Sequence, residues 1–374
     1  MDPEKTGCPN PECPLHGQIG AGNISLHSKK EKRLLCRDCK RTFAATKGTP
    51  FYRRRYDEEA ITRVVTLLAY GCPVRAICEA FRLDVRTVSA WHEAAAAHCE
   101  GVHQALVESA KMDLKHVQAD ELRIKAQGHV AWMALALCVT TRLWLGGVVS
   151  TTRDKALARA LARALALNVR ACALCRPLLV AFDGFAAYIE AFGKAFRSPR
   201  HTGRRGRPPL VRWPELVLGR VIKSRRGRGL ERIEREVLPK RQAIMAPGEI
   251  DLDAEALSER LLEESRGGAV INTAYIERFN ATMRSTTAAL ARRTRALARV
   301  PQTLERGMYL AGCLYNFCGE HRSLAIALVV VGRWGDERRW VGRTPAMAAG
   351  LTDHRWSVWE LLHYQFTTPC HHHD

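Results

Sequence analysis

Long apolar runs are scarce in this 374-residue sequence. Residues 1–5 are polar and no apolar segment follows them, so we predict no secretory signal. The most apolar stretch, 130–149, is interrupted by Arg142 and broken by Gly146-Gly147. These interruptions predict two neighbouring strands in place of a membrane span, and no membrane partner is expected.

Negative charge is also scarce, since 38 Asp and Glu stand against 58 Lys and Arg, a net charge of +20. A basic chain favours a polyanionic partner, because Lys and Arg release counterions from phosphates. Internal repeats and heptads are lacking too. Thirteen cysteines without a secretory signal indicate a reducing cytoplasm, with some thiols on a metal and others buried.

The length and the 47% hydrophobic content allow two or three domains. We predict a zinc ribbon at 1–50, a helix-turn-helix at 51–105, a catalytic α/β domain at 113–330 and a C-terminal tail at 331–374. Within the catalytic domain, 197–266 has the composition of a basic insert that ends in a short acidic helix at 249–266. The terminal Cys370-His371-His372-His373 could bind a metal, but a disordered end is the simpler interpretation.

Two cysteine pairs predict the metal of the first domain. Cys8 and Cys13 are followed, after 22 residues, by Cys36 and Cys39, a pattern typical of a zinc ribbon. Four ligands leave no open position, so this Zn²⁺ is expected to be structural, and a module this small needs it to fold. His16 or His27 could replace one thiolate, and free cysteines in a flexible arm are the alternative.

Three helices are predicted next, starting at 56–59, 73 and 85, with a turn at 82–84. A short helix, a tight turn and a helix bearing Arg, Thr and Ser are typical of a helix-turn-helix that reads the major groove. The outward side chains that we expect to contact DNA are Arg86, Thr87, Ser89 and His92. An ordinary three-helix packing unit is the alternative.

Two aspartates follow strand-like runs in the catalytic region. Asp120 lies on a predicted strand at 115–124, and Asp183 follows a buried strand at 177–182. With strands at 130–138 and 142–150 and a helix at 154–168, this order matches the opening of an RNase H-like fold. Asp120 and Glu121 point to opposite faces of a strand, so only one of them can serve the same site as Asp183.

A third carboxylate, Glu277, is predicted on a helix that Asn272 or Thr273 caps. Asn280 and Arg284 share its face by their i, i+3 and i+7 spacing. Two aspartates and a glutamate supply the hard oxygen ligands that Mg²⁺ (or Mn²⁺) prefers. Taken singly, each carboxylate indicates a surface or capping residue, and the prediction depends on all three occurring in this order. Arg284, and alternatively Asn280, would hold the DNA backbone.

With these motifs the chain resembles a bacterial insertion-sequence transposase of the insertion-sequence-one family, which has a DDE catalytic core. The similar blocks are 36–43, the helix-turn-helix, 119–121, 182–184, 272–284, 292–294, 316–318, 321–324 and 343–352. The resemblance implies an RNase H-like core with the triad Asp120, Asp183 and Glu277. It favours Asp120 over Glu121 and implies that Asn280 or His321 assists the metal site.

The same resemblance implies the reaction and the partners. We expect Mg²⁺-dependent cleavage that exposes a 3′-OH, followed by transfer of that strand to target DNA. The expected partner is double-stranded DNA, as element ends and as target, bound by a homo-oligomer in the bacterial cytoplasm at the nucleoid. The alternatives are a domesticated, non-catalytic DNA-binding regulator and a metal-dependent nuclease without strand transfer.

Two features depart from the family. One continuous chain carries parts that the best-known members join by frameshifting, and the separation of 94 positions between Asp183 and Glu277 is long for a minimal core. Residues 197–242 carry 13 Arg and 2 Lys against 4 Glu, a net charge of +11. Within them, Arg204, Arg205 and Arg207 belong to an Arg-Gly-Arg-Pro sequence that resembles an AT-hook for the minor groove. The alternative is a flexible basic loop that contacts DNA phosphates without reading the sequence.

Overall fold

A computed structural model describes residues 2–151, 155–201, 203, 206–226, 229–238, 253–290, 301–332 and 335–366. The strands are β1 (Ile24–Ser28), β2 (Arg33–Cys36), β3 (Thr42–Ala44), β4 (His116–Lys125), β5 (Val130–Cys138), β6 (Trp144–Ser150), β7 (Leu178–Asp183), β8 (Arg197–Pro199), β9 (Leu210–Arg212), β10 (Leu216–Arg226), β11 (Gly229–Leu238), β12 (Ile326–Gly332) and β13 (Gly335–Val341). The α-helices are α1 (Glu58–Ala69), α2 (Val74–Phe81), α3 (Val85–His103), α4 (Lys155–Cys172), α5 (Ala186–Ala195), α6 (Ala254–Glu264), α7 (Ala274–Thr286), α8 (Pro301–Cys313), α9 (Pro345–Ala348) and α10 (Val358–His363).

The N-terminal module is a three-stranded antiparallel sheet in the order β1-β2-β3. Its small core contains Leu34 and Phe43 together with cysteine side chains. So few apolar residues cannot stabilise a module of this size alone, which is why the cysteine cluster described below matters for its folding.

The predicted three-helix unit is present as α1, α2 and α3. Asp57 and Asp84 accept hydrogen bonds from the first-turn amides of α1 and α3, as N-caps do. Arg82 ends α2 in the left-handed conformation, with φ 53°, which makes the tight turn. Helix α3 is longer than predicted, because Val102 and other apolar residues beyond position 92 are buried against the rest of the molecule.

A mixed six-stranded sheet in the order β11-β10-β7-β4-β5-β6 forms the centre of the molecule. Strands β10, β7 and β4 are parallel, and the remaining pairs are antiparallel. The predicted strands at 130–138 and 142–150 correspond to β5 and β6, so the apolar stretch is indeed two strands. The fold is mixed α/β.

Part of the predicted insert belongs to this central sheet. Strand β10 pairs in parallel with β7, and Leu216, Val217 and Leu218 are buried. Arginine dominates the composition of 197–242, so composition alone did not indicate this short apolar strand. The predicted acidic helix is present as α6. Arg204 and Arg205 lie outside the described residues, and Arg207 is exposed in the segment between β8 and β9.

Helices cover both faces of the central sheet. Helix α4 packs on β5 and β6 with α5 beside it. On the opposite face, Leu179, Val217 and Val221 pack against α6. Gly219 allows the chain between α6 and α7 to approach, because a Cβ there would lie 2.8 Å from Ile271 Cγ2. The face that holds α6 and α7 is the one that carries the candidate site.

The C-terminal segment packs back onto the N-terminal helices. His363 Nε2 lies 2.9 Å from Glu58 Oε2, and its ring stacks on Phe51 at 4.3 Å. His98 Nε2 lies 3.1 Å from the Leu361 carbonyl. The segment predicted as a tail therefore contributes α9 and α10 to the packed molecule, while Cys370 and the histidines after it lie outside the described residues. None of the described helices has the length and apolarity to cross a membrane.

Candidate functional site

The register of the parallel strands places Asp120 and Asp183 side by side. Ala119 on β4 is opposite Phe182 on β7, so the residues that follow them are neighbours, with Asp120 in the middle of β4 and Asp183 at the end of β7. Side chains alternate along a strand, so Asp183 shares the face of Leu179, which packs against α6. The two aspartates therefore open onto the face covered by α6 and α7.

Glu121 points the other way. It neighbours the buried Tyr188 side chain of α5, whose pKa is raised by burial and by the charges of Glu121 and Asp120. The alternation of β4 thus places Asp120, and not Glu121, on the same face as Asp183.

Gln118 fixes the start of α7 against the sheet. This residue is fully buried on β4, two positions before Asp120. Its Oε1 accepts hydrogen bonds from the backbone amides of Tyr275 and Ile276, both at 3.0 Å. Its Nε2 donates to the Asn272 carbonyl at 2.8 Å. A strand residue therefore satisfies two of the four orphan amides of the helix, and this bond sets where Glu277 lies relative to Asp120.

Glu277 connects to Asp183 through Thr273 and Lys223. The Thr273 hydroxyl lies 2.9 Å from Glu277 Oε1 and 3.3 Å from Asp183 Oδ1. Lys223 of β10 donates to Thr273 Oγ1 at 3.0 Å, forms an ion pair with Glu277 and lies 3.8 Å from Asp183 Oδ1. An ammonium group therefore stands between two of the three carboxylates.

Asn280 connects α7 to the remaining carboxylate. Its Nδ2 donates to Asp120 Oδ2 at 2.8 Å. The Asn280 side chain is 5% exposed, and its Oδ1 has no hydrogen-bond partner among the described residues. An orphaned buried amide oxygen beside a carboxylate is a free hard donor, which is a reason to expect a cation here.

The site has excess negative charge. Burial, followed by the charge of Asp183, raises the pKa of Asp120 to about 7. Burial also raises the pKa of Asp183, although the nearby Lys223 ammonium opposes this effect. A cation bound among the carboxylates would reverse both shifts. Among the described residues, the three carboxylates do not bring one oxygen atom each to within 4.8 Å of the others. They are therefore spread over a wider space than the ligands of a single closely bound ion.

Two residues of this site were missed from the sequence. Gln118 gives no signal of its own, since a lone buried glutamine on a strand has no motif. Lys223 was counted as one charge in a basic insert, and only the pairing of β10 with β7 brings it to Asp183. Of the two predicted caps, Asn272 makes the bond, because its Oδ1 accepts from the Ala274 amide at 3.1 Å, whereas the Thr273 hydroxyl bonds the carboxylates.

Arg284 and His321 take different positions. Arg284 is half-buried on α7, two turns after Glu277 and on the same side. His321 is not brought to the carboxylates. Its ring lies beside the Tyr315 ring and its Nδ1 lies 2.9 Å from Ser323 Oγ. His321 lies on the side of α7 that Tyr275 and Phe279 face. That side is about 200° around the helix axis from Glu277.

The four predicted cysteines form the candidate metal centre of the N-terminal module. Their sulfur atoms all lie within 4.8 Å of one another, with Cys8 and Cys39 at 3.7 Å and Cys13 and Cys36 at 3.8 Å. A tetrahedral Zn²⁺ with Zn–S bonds of about 2.3 Å places its sulfurs about 3.8 Å apart. Hydrogen bonding from the Arg41 backbone lowers the pKa of the Cys39 thiol to about 6, which favours the ligating thiolate. The cluster could hold Zn²⁺, with neither His16 nor His27 in it.

The residues predicted to read DNA lie along the first turns of α3. Arg86 and Ser89 are exposed, whereas Thr87 and His92 are half-buried. Burial lowers the pKa of His92, with the Arg306 cation nearby. Of these four side chains, Arg86 and Ser89 are therefore the two that are exposed on the surface of α3.

No protein-family model matches this chain, and no curated protein matches it in sequence.

Proposed function

We propose that this chain is a DNA transposase of the DDE type, which binds the ends of its element and catalyses their cleavage and strand transfer. The observation that carries the proposal is the convergence of three carboxylates on one face of the central sheet. Asp120 and Asp183 come from adjacent parallel strands, and Glu277 comes from a helix that Gln118 ties to the first of them.

The topology supports an RNase H-like core. Numbered from β4 along the chain, the first five strands of the central sheet have the order 3-2-1-4-5, with only the second antiparallel to the first and fourth. The first and fourth of these strands carry the two aspartates. Fold alone does not define function, so the proposal depends on the carboxylates.

Magnesium fits the donors. Three carboxylates and the orphaned Oδ1 of Asn280 are hard oxygen ligands, and burial together with the neighbouring Asp183 charge raises the pKa of Asp120, an effect that a bound cation would oppose. Asp120, Asp183 and Glu277 would hold the ions, with Asn280 beside them. Bound Mg²⁺ would supply an activated oxygen nucleophile and stabilise the leaving oxygen of a phosphodiester.

The protein's own groups supply positioning. Asn280 holds Asp120 through its 2.8 Å hydrogen bond, Gln118 anchors α7, and Thr273 orients Glu277 and Asp183. Catalysis by such a site is mainly placement of charge, so each of these bonds limits how far a carboxylate can drift.

The rest of the chain supports a DNA substrate. The net charge is +20, and a cysteine cluster that could hold Zn²⁺ precedes a helix with exposed Arg86 and Ser89. Arginine that reaches a major groove can bond guanine in a bidentate manner. Element ends and target are both double-stranded, and joining two ends in concert calls for a homo-oligomer.

One observation favours a second candidate, a non-catalytic DNA-binding regulator. Lys223 already neutralises Glu277 and lies near Asp183. A site with a resident ammonium could be a stable remnant of a catalytic centre that no longer takes up metal.

Cleavage of DNA that carries the inverted repeats flanking the coding region separates the two candidates. We expect strand cleavage in Mg²⁺ by the wild type and none by Asp120→Asn, Asp183→Asn or Glu277→Gln, with end binding retained by all three. Asp113→Asn, a carboxylate outside the site, serves as the control. Specific binding by a wild-type chain that never cleaves would identify the regulator.

A further inference from the structure

A cavity of about 490 Å³ lies on the side of α7 that faces away from Glu277. Its walls come from α7, the turn between β5 and β6, the end of α1 and residues 314–323. Most of the wall is apolar or aromatic, with the side chains of Tyr70, Leu137, Tyr275, Phe279, Met283 and Tyr315. Among the polar side chains of the wall, Arg142 is the most buried.

Arg142 is held in this cavity under unusual constraints. It lies in the turn between β5 and β6 with φ 60°, a left-handed conformation that costs energy for a residue with a side chain. Its side chain is only 8% exposed. Its Nε donates to Ser323 Oγ at 3.3 Å, and its guanidinium lies 4.0 Å from the centroid of the Tyr275 ring. Its Nη1 is buried without a hydrogen-bond partner.

This buried cation lacks a counter-charge. Across the part of the chain that the structure describes, no carboxylate forms an ion pair with Arg142, and Glu320 at the cavity wall is paired with Arg355 at 2.9 Å. Burial lowers the pKa of Arg142, and the groups that oppose this are the phenols Tyr275 and Tyr315 and the thiol of Cys138. The other ionisable neighbours are Arg278, which adds positive charge, and His321, whose pKa is lowered by burial and by the Arg142 and Arg278 cations, so that it is held neutral. A buried, unpaired guanidinium is unfavourable unless an anion completes it.

We propose that this cavity binds a nucleotide, with its phosphate on the Arg142 guanidinium, Ser323 and His321 and its base against the aromatic wall. Guanidinium groups suit phosphate oxygens through charge and planar geometry. A phosphate alone would leave most of the 490 Å³ empty, whereas ligands of nucleotide size occupy pockets of this order. Aromatic rings such as those of Tyr315 and Tyr70 can stack on a base.

Two sources offer this chemistry, a free nucleotide and an unpaired nucleotide at the end of a DNA strand. The inference does not depend on the metal-dependent reaction, because the cavity and the carboxylates lie on opposite sides of α7. It can therefore be tested without added Mg²⁺ or Mn²⁺, where the carboxylate site is inactive and the N-terminal module keeps its zinc.

Calorimetry with the full chain in buffer free of Mg²⁺ and Mn²⁺ tests the proposal with three probes: deoxyadenosine 5′-monophosphate, inorganic phosphate and deoxyadenosine. We expect the nucleotide to bind more tightly than either part, and Arg142→Met to weaken it at least ten-fold. Arg163→Gln, an exposed arginine on α4, should bind as the wild type does. Equal affinity for phosphate and nucleotide would show that the ligand is not recognised as a nucleotide. Unchanged nucleotide binding by Arg142→Met would show that the Arg142 cavity is not the binding site.

Competition identifies the source. A duplex with one unpaired 3′ nucleotide should displace the bound nucleotide better than a blunt duplex does if the occupant is a strand end, and Arg142→Met should lose that preference. Equal displacement by the two duplexes would assign the site to a free nucleotide. If Arg142→Met does not fold, His321→Ala and Ser323→Ala provide the same test, with a several-fold loss of nucleotide affinity expected. Binding by both variants as tight as that of the wild type would refute the inference.

Discussion

At the residue scale, Lys223 determines the charge balance of the carboxylate site. Its ammonium bonds Thr273 and Glu277 and lies 3.8 Å from Asp183. A divalent cation that binds these carboxylates must compete with this charge, because like charges repel strongly in a half-buried site. Lys223 thus acts as an internal competitor that also holds the acids together when no metal is bound.

We therefore expect Lys223→Met to bind Mn²⁺ more tightly than the wild type, by roughly ten-fold, equivalent to about 1.4 kcal/mol. Electron paramagnetic resonance titration of free Mn²⁺ measures this without relying on activity. Lys194→Met removes an exposed lysine that pairs with Glu190 and should have no effect. Weaker Mn²⁺ binding by the Lys223 variant would instead make Lys223 a supporting residue of the metal site.

The sequence singled out the three carboxylates that the structure brings to one face, together with Asn280, but it did not single out Gln118 or Lys223. Asp120, Asp183 and Glu277 stand out because each follows a recognisable strand or helix signal. Gln118 and Lys223 act through contacts with residues far away in sequence, such as Tyr275 and Thr273. Local pattern carries no information about such contacts, so these two roles emerge only from the packed structure.

At the element scale, the position of α7 depends on a bond from the neighbouring strand. Thr273, the residue before the helix, makes no capping bond of its own, and Gln118 supplies the acceptor from inside the sheet. The backbone amides of the first turn would otherwise be buried without partners.

Gln118→Ala should therefore loosen the start of α7 and cost about 2 kcal/mol of unfolding free energy. We expect the Tyr275 and Ile276 amides to lose hydrogen-exchange protection and DNA cleavage to fall while end binding persists. Gln127→Ala, an exposed glutamine in the β4–β5 turn, is the matched control. Unchanged protection in the Gln118 variant would show that the helix is held by its apolar face alone.

The N-terminal sheet offers the second prediction at this scale. Because β1, β2 and β3 enclose little apolar surface, Cys36→Ser should release bound Zn²⁺ and unfold the module, since metal binding and folding are coupled there. Zinc analysis and the nuclear magnetic resonance spectrum of the module measure this, with the central sheet expected to remain folded. Cys175→Ser, an exposed free cysteine, should keep its zinc. A zinc-free wild type would contradict the prediction.

Element types were more predictable than element roles. Periodicity predicted β4, β5, β6, α4 and β7, because each has a clean strand or helix pattern. The same reading assigned 197–242 to an insert, since its arginines dominate the composition. The short apolar run of β10 nevertheless decides its place beside β7, because burial of Val217 and Leu218 outweighs the charge of the surrounding segment.

At the scale of the whole molecule, the helical and sheet parts share one hydrophobic core. The cluster runs from Val65 and Trp91 in the N-terminal helices to Leu135 and Phe182 in the sheet, and Trp356 in the C-terminal segment belongs to it. The predicted boundary between the helical unit and the central sheet therefore does not separate two packed units, whereas the N-terminal sheet has a small core of its own. Parallel pairing of β4 with β7 joins distant parts of the chain, so strand order could be expected only from the resemblance and not from local pattern.

The arrangement places two different chemical environments on either side of α7. On one side lie three carboxylates with Asn280, and on the other lies the cavity with Arg142. A transposase needs to hold a strand end while its phosphodiester reacts, and a single helix between the two sites would keep their distance fixed.

Strand transfer tests the central claim most directly. Pre-cleaved DNA with a free 3′-OH on the terminal repeat, mixed with a supercoiled plasmid and Mg²⁺, should yield joined products with the wild-type chain. Asp183→Asn should bind the same DNA and yield none, because loss of one carboxylate charge removes a metal ligand. Cleavage without joining would identify a nuclease, and joined products formed equally well by Asp183→Asn would contradict the carboxylate site itself.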